Sequence, residues 1–326
     1  MSDMAFPPKD QTTVQFAHVA YQFEERFANR NTGINNFQTW SKEDTLQRAA
    51  EAEVLVVTGF WSAEVLKRAE RLKFIQVCGA GYNQFDLEAI KARGIRLCHG
   101  SGVNRNAVSD HAMAMMLAIT RRLSEAHSNQ KTQHWRGMIS DRGKREDELA
   151  GKTLLIFGMG GIGERLARLA KAFEMRVIGF KRDPSQHGAI ADEVHASADF
   201  ANYLGQADMV ALTCPLTAET NKIIDAKALE AMRETAYLIN VARGGCVDSD
   251  ALVASLQSGS IAGAALDVTE PEPLPIDSPL WAMDNVLITP HTGGETQSYE
   301  DNVVDMLLAN LERLWGGNED LINRIV

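Results

Sequence analysis

Two features of the chain combine residue types and spacing that could do chemistry. The first is Gly158-Met159-Gly160-Gly161-Ile162-Gly163, a GxGxxG pattern. It follows the apolar run 154–157 and opens a segment with Ile162, Leu166, Leu169, Ala170 and Phe173 on one helical face. A strand, a tight turn and a helix in that order form the context in which such glycines cradle a dinucleotide. Gly158 permits the turn, Gly160 lets the backbone approach a pyrophosphate, and Gly163 lets helix and strand pack closely. The helix start, with Gly161 and Ile162, then offers free N–H groups and a partial positive charge to the phosphates. The second feature is a set of ionisable residues, each just past an apolar run. Arg243 precedes Gly244-Gly245, Glu272 lies between Pro271 and Pro273, and His291 follows Pro290. Strand ends on one edge of a parallel sheet are where ligands bind in such folds.

The strand after the glycine turn indicates which dinucleotide is expected. An acidic residue at its end would hold the ribose 2′-hydroxyl of NAD. Here residues 177–180 lead into Lys181 and Arg182, and Asp183 comes two places too late. Two cations suit a 2′-phosphate, so NADP is the expected preference. The alternative is a pair of solvated charges beside bound NAD.

In its motifs the chain resembles the D-isomer-specific 2-hydroxyacid dehydrogenase family, most closely its glyoxylate and hydroxypyruvate reductase branch. Gly79-Ala80-Gly81-Tyr82 with Asp86 is similar to that family's substrate loop. Asn240-Val241-Ala242-Arg243-Gly244-Gly245 with Val247-Asp248 resembles its arginine motif, Leu266-Asp267-Val268 with Glu272-Pro273-Leu274-Pro275 its glutamate motif, and Thr289-Pro290-His291 its histidine motif. The resemblance implies reduction of a small 2-oxo acid to the D-2-hydroxy acid. The reduced cofactor gives the hydride, His291 gives the proton and Glu272 holds the imidazole. Arg243 takes the substrate carboxylate and carbonyl oxygen, with backbone N–H groups of Ala80 and Gly81 completing the carboxylate site. It also implies cofactor contacts from Thr213, Pro215, Val241, Ala242, Arg243, Asp267, His291 and Gly293, and a homodimer formed through the cofactor domains with residues 121–148 in the contact.

Each role fits elementary chemistry. Imidazole is the side chain whose ordinary pKa lies near neutrality, and a guanidinium matches a carboxylate with two parallel hydrogen bonds. Two alternatives share the motifs: a D-3-phosphoglycerate dehydrogenase, which needs further cations for the substrate phosphate, and a dinucleotide-sensing corepressor, which would not turn over. Asn83, Ser109-Asp110 and His99 depart from the family pattern and bear on which substrate is taken.

These residues need elements to position them. Short apolar runs alternate with amphipathic segments, the pattern of parallel sheets covered by helices. Runs at 14–18, 53–58, 74–78 and 95–98 form one α/β set, with helices expected over 42–50 and 87–93. Runs at 153–157, 176–180, 209–213, 237–241, 264–268 and 286–289 form another. Residues 107–121 are almost wholly apolar on all sides, which predicts a helix buried at a domain junction rather than one facing water. A C-terminal helix bearing Val303, Val304, Leu307, Leu308, Leu311, Leu314 and Trp315 is expected to return to the first set. The reading is thus two doubly wound parallel-sheet domains. A Rossmann cofactor domain at 103–294 is inserted into a flavodoxin-like substrate domain made of 1–102 and 295–326.

Composition agrees with this. The chain has 326 residues, 45% hydrophobic and 23% charged, enough for about two domains with substantial cores. Its net charge of -10 disfavours nucleic acid and anionic lipid as partners. A basic stretch at 121–145 is expected to be solvated or a subunit contact rather than an anion site. No apolar run is long enough for a membrane helix, and the polar start does not resemble a signal peptide, so the expected location is the cytoplasm. No regulatory domain is expected beyond Val326. Cys78, Cys98, Cys214 and Cys246 stand singly and read as buried thiols. The seven histidines other than His291 (His18, His99, His111, His127, His134, His187 and His195) have no ligand spacing, so no metal is expected. Among them His111 reads as a satisfied core residue.

Overall fold

Every strand pairing within the two sheets is parallel, because most strands carry apolar runs that need cover on both faces. The computed structural model describes residues 6–82, 84–185 and 190–326. Asn83 and His187 lie outside the described residues. The chain divides into two compact units, Met1–Asn104 with Thr296–Val326, and Arg105–Glu295.

The first unit contains β1 (Thr13–Ala17), α1 (Phe23–Ala28), β2 (Asn35–Thr39), α2 (Lys42–Gln47), β3 (Val54–Val57), α3 (Ala63–Arg68), β4 (Phe74–Val77), α4 (Leu87–Ala92) and β5 (Arg96–Cys98). Its strand order β2-β1-β3-β4-β5 is that of a flavodoxin-like doubly wound sheet. Ser41, Ser62 and Asp86 cap α2, α3 and α4 by accepting backbone N–H bonds, so these short helices start where a side-chain oxygen is available.

The second unit contains α5 (Arg105–Thr120), α6 (Leu123–Lys131), β6 (Thr153–Phe157), α7 (Gly161–Ala172), β7 (Arg176–Lys181), β8 (Glu193–Ala196), β9 (Met209–Leu212), α8 (Ala226–Ala231), β10 (Tyr237–Asn240), α9 (Ser249–Ser258), β11 (Gly263–Leu266) and β12 (Val286–Ile288). The order β12-β11-β10-β9-β6-β7-β8 is the Rossmann arrangement with a seventh strand. It reverses between β6 and β9, the switch point beside which dinucleotides bind. The last helix, α10 (Tyr299–Trp315), belongs to the first unit, where Val303, Val304, Leu307 and Leu311 share a core with Val14, Phe16, Val54 and Phe74.

Among the described residues the sheets have 5 and 7 strands, one more each than the apolar runs suggest. The additions, β2 (Asn-Asn-Phe-Gln-Thr) and β8 (Glu-Val-His-Ala), are edge strands with incomplete burial. An edge strand needs less apolar cover and so lacks the continuous run that marks a central one. Helix α5 is not buried all round: Val108, Ala112, Met113 and Met116 are covered, while Asp110 and Ala114 are exposed. Its alanine content exaggerated its burial, since small apolar side chains tolerate water.

Candidate active site

The glycine turn packs as its pattern requires. Gly158 has φ of +112°, and a Cβ there would lie 2.7 Å from the Cys214 nitrogen. A Cβ on Gly163 would lie 2.3 Å from the Gly158 carbonyl oxygen, so helix and strand approach as only glycine allows. A Cβ on Gly160 would meet nothing within 4 Å, which leaves the side facing a ligand open. Helix α7 starts at Gly161 with no side chain capping its N–H groups. The leading N–H groups of a helix lack intrahelical acceptors, so Gly161, Ile162 and Gly163 suit an anionic pyrophosphate. Across the switch point the Thr213 hydroxyl donates to the Gly158 carbonyl at 2.8 Å, tying the end of β9 to the turn. Pro215, two residues on, is exposed. Lys181 ends β7 half-buried, and Arg182 follows it exposed. Asp183 accepts from the Ser185 amide and hydroxyl.

Arg243 is positioned by buried Asn240 at the end of β10. The Asn240 amide donates to the Arg243 carbonyl at 3.0 Å, and its oxygen accepts from the Ala242 N–H at 3.0 Å. Val241 and Ala242 are buried, while Arg243 is exposed with its guanidinium donating to the Ala242 carbonyl at 2.7 Å. A Cβ on Gly244 would lie 1.9 Å from the Thr269 carbonyl oxygen. The arginine loop therefore packs directly on the backbone of the glutamate loop.

The glutamate and histidine loops meet as a hydrogen-bonded pair. Glu272 Oε2 lies 2.7 Å from His291 Nδ1, and Glu272 Oε1 accepts the Thr269 N–H at 3.1 Å. A carboxylate only accepts, so an ionised Glu272 leaves the Nδ1 proton on His291. Nε2 is then the ring nitrogen that this pairing leaves to other partners. The two side chains are 46% and 38% exposed, so the pair contributes little to stability and its alignment is best explained by chemistry.

His291 has φ of +56°, a left-handed conformation uncommon for a side-chain-bearing residue. Its N–H donates to the Asp267 carbonyl at 2.8 Å. Asp267, only 3% exposed, accepts from the Thr289 hydroxyl at 2.6 Å and the Thr292 N–H at 3.0 Å on one oxygen. Its other oxygen accepts the Gly293 N–H at 3.0 Å. Burial alone would raise the pKa of this carboxyl, but hydrogen bonds from His111, Thr289 and Gly293 outweigh it and hold the pKa below the ordinary carboxylate range.

Arg243, Glu272, Asp267, His291 and Gly293 thus converge at the C-terminal ends of β10, β11 and β12. Ala80 and Gly81 follow β4 in the first unit, where the Gly79 carbonyl accepts the Gly100 N–H at 2.7 Å. Sequence reasoning missed three features here. Asn240, in sequence only the first residue of the arginine motif, orients that loop, and the signal for this role was a polar residue closing an apolar strand. His111 reaches the histidine loop from α5. Cys214 and Cys246, 32 residues apart, bring their sulfurs within 3.9 Å because β9 and β10 are neighbours. Of the other departures, Ser109 and Asp110 both accept from Arg165, and His99 stacks on Tyr82 with centroids 5.6 Å apart. Among the described residues no group of three or more His, Cys, Asp or Glu could hold a metal, and no helix is long and apolar enough to cross a membrane.

A Rossmann sheet, an open glycine cradle and a histidine–carboxylate pair define a dinucleotide-dependent dehydrogenase. Residues 113–293 match the family described as D-isomer specific 2-hydroxyacid dehydrogenase, NAD binding domain. A glyoxylate reductase of Thermofilum pendens is 34% identical over 282 residues, 85% of this chain and 83% of that protein. Glyoxylate/hydroxypyruvate reductase B of Yersinia pestis is 35% identical over 306 residues, 91% of this chain and 92% of the other. A D-3-phosphoglycerate dehydrogenase of Methanocaldococcus jannaschii is 34% identical over 87% of this chain, which spans 54% of that protein. Among solved structures, the TT0316 protein of Thermus thermophilus superposes with a TM-score of 0.81 at 34% identity, covering 96% of this chain and 100% of that one. The chain belongs to the D-isomer specific 2-hydroxyacid dehydrogenase family and is an oxidoreductase acting on CH–OH groups.

Proposed function

We propose that this enzyme reduces a small 2-oxo acid, glyoxylate or hydroxypyruvate first, to the D-2-hydroxy acid, with His291 as proton donor. The observation that carries this is the 2.7 Å contact between Glu272 and His291 Nδ1, which leaves Nε2 to deliver a proton. Gly158, Gly160, Gly161, Ile162 and Gly163 hold the dinucleotide pyrophosphate. Thr213, Pro215, Val241, Ala242, Asp267 and Gly293 flank the rest of the cofactor. When bound, the dinucleotide supplies the hydride that reduces the carbonyl carbon. Arg243 anchors the substrate carboxylate and polarises the carbonyl, and the N–H groups of Ala80 and Gly81 complete that anchor. Protonated His291 then gives its Nε2 proton to the carbonyl oxygen as charge builds there.

In this reading 103–294 is the cofactor domain, and 1–102 with 295–326 is the substrate domain. Lys181 and Arg182 at the end of β7 favour NADP, with NAD also accepted. A homodimer is supported by the segment around Trp135 and Met138, which are 97% and 101% exposed. Large apolar side chains in full contact with water suit a partner surface. Most cations of that segment are engaged with its own acidic residues and carbonyls, as in the Arg136–Glu146 and Arg122–Glu125 pairs, which argues against an anion site. Location in the cytoplasm is part of the same proposal.

An assay of NADH and NADPH against glyoxylate, hydroxypyruvate, pyruvate, a phenyl-substituted 2-oxo acid and phosphohydroxypyruvate tests the reading. The expected result is highest kcat/KM with NADPH and one of the first two acids. Preference for phosphohydroxypyruvate would make the protein a phosphoglycerate dehydrogenase. Negligible turnover with every acid would favour a dinucleotide-sensing binding protein.

A further inference from the structure

His111 projects from α5 toward the loop that carries His291, far from it in sequence and from a different element. Its Nε2 lies 2.9 Å from the Thr289 hydroxyl and 3.4 Å from Asp267 Oδ1. The protons in this chain can be counted. Thr289 has one hydroxyl proton, and the 2.6 Å contact to the ionised Asp267 takes it, because a carboxylate only accepts. The Thr289 oxygen must then accept from His111, so His111 carries its proton on Nε2. The relay runs from His111 N–H to the Thr289 hydroxyl and on to Asp267.

Asp267 is the hub of the histidine loop. Its carboxylate takes the Thr292 and Gly293 N–H groups, and its carbonyl takes the N–H of His291. A Cβ on Gly293 would lie 2.7 Å from Asp267 Oδ2 and 3.1 Å from the His111 ring, so the three residues close on one another. The left-handed backbone of His291 is a conformation that persists only where its surroundings over-determine it. Here the surroundings are this network, and His111 is its link to a rigid helix of 16 residues.

We propose that His111 is a positioning residue for the reaction, orienting Thr289 and Asp267 so that the loop holds His291 with Nδ1 on Glu272 and Nε2 left for the substrate. The inference rests on His291 being the proton donor. It goes beyond that reading by assigning a task to a helix that carries none of the reacting groups.

The test compares His111→Leu with His111→Gln, each in the parent and in the His291→Ala background, measuring kcat, KM for glyoxylate and hydroxypyruvate, and NADPH affinity by fluorescence. His111→Leu is expected to lower kcat about tenfold through loss of alignment. KM and NADPH affinity should stay within about twofold, the scale of an effect on alignment rather than on binding. His111→Gln, whose amide can still donate toward Thr289, should recover most of the loss. In the His291→Ala background His111→Leu should cost nothing further, as expected of residues acting as a unit. Should His111→Leu fail to fold, Thr289→Val breaks the same relay and should show the same pattern. Unchanged kcat in His111→Leu, an equal loss in His111→Gln, or the same loss persisting without His291 would each overturn the inference. If His291→Ala itself keeps full kcat, the proton-donor reading falls and this inference with it. A large loss there with unchanged His111→Leu overturns the inference alone.

Discussion

In the first unit, β4 runs into Cys78 and then Gly79-Ala80-Gly81, a strand end built from close backbone fit. The Cys78 carbonyl accepts the Tyr299 hydroxyl at 3.0 Å, and a Cβ on Gly100 would lie 2.3 Å from that same carbonyl oxygen. In the second unit, the ends of β10, β11 and β12 carry Arg243, Asp267, Glu272 and His291; side-chain hydrogen bonds join Glu272 to His291, Thr289 to Asp267 and Asn240 to the Arg243 carbonyl. Both edges sit on doubly wound parallel sheets, and both end in loops held by glycines too crowded for a side chain. At the Gly79-Ala80-Gly81 turn a ligand meets peptide dipoles, whereas the other edge offers groups that can move a proton or pair with an anion. Parallel topology supplies the shelf, and the residues at strand ends decide its chemistry.

The largest effect that sharpens this contrast is His291→Ala. Its kcat should fall by about 10²- to 10⁴-fold, the usual contribution of a general acid, with NADPH affinity nearly intact by fluorescence titration. A fall of less than threefold would mean that the second edge is no more chemical than the first. Gly244→Ala should come next. The added Cβ displaces the Thr269 backbone that holds Glu272, and misplacement near 1 Å costs about 10²-fold in kcat/KM. Gly100→Ala is the matching change in the first unit. There the expectation is a lower melting temperature, with any activity loss tracking the unfolded fraction in circular dichroism.

Replacing Lys181 and Arg182 with neutral residues should reduce the NADPH to NADH ratio of kcat/KM by about tenfold or more, given charge-assisted contacts to a 2′-phosphate. An unchanged ratio would remove the basis for NADP preference. The smallest effect is a pH dependence of stability. Asp267 has a depressed pKa in the folded state. The unfolded chain therefore takes up its proton first as pH falls. Its contribution to stability is complete above about pH 4, where the unfolded carboxyl is ionised, and is lost as pH drops through the lower folded value. Asp267→Asn should melt a few degrees lower at pH 7, and that gap should close on acidification in a thermal scan series.

Much of the second unit was legible because its strands are buried on both faces and read as continuous apolar runs. The glycine turn was legible because three positions tolerate no Cβ or must leave a ligand side open. Edge strands β2 and β8 were not, since partial exposure permits Asn, Gln, Glu and His within them. The catalytic candidates were legible by type and by their place after strands. The Glu272–His291 pairing was expected from the family resemblance and not from spacing, because the two are 19 residues apart and meet only through adjacent strands in the sheet.

Sequence by itself determined the parallel α/β class, the dinucleotide turn and the identities of the ionisable residues, since these follow from local periodicity, from glycine sterics and from side-chain type. Tertiary structure alone decided how His111, Thr289 and Asp267 share protons. His111 looked like an ordinary helix residue until α5 brought it to Thr289, and Asp267 became a hub only when three loop N–H groups turned toward it. Hydrogen bonds between elements depend on distances of about 3 Å, and only the packed sheet order sets such distances.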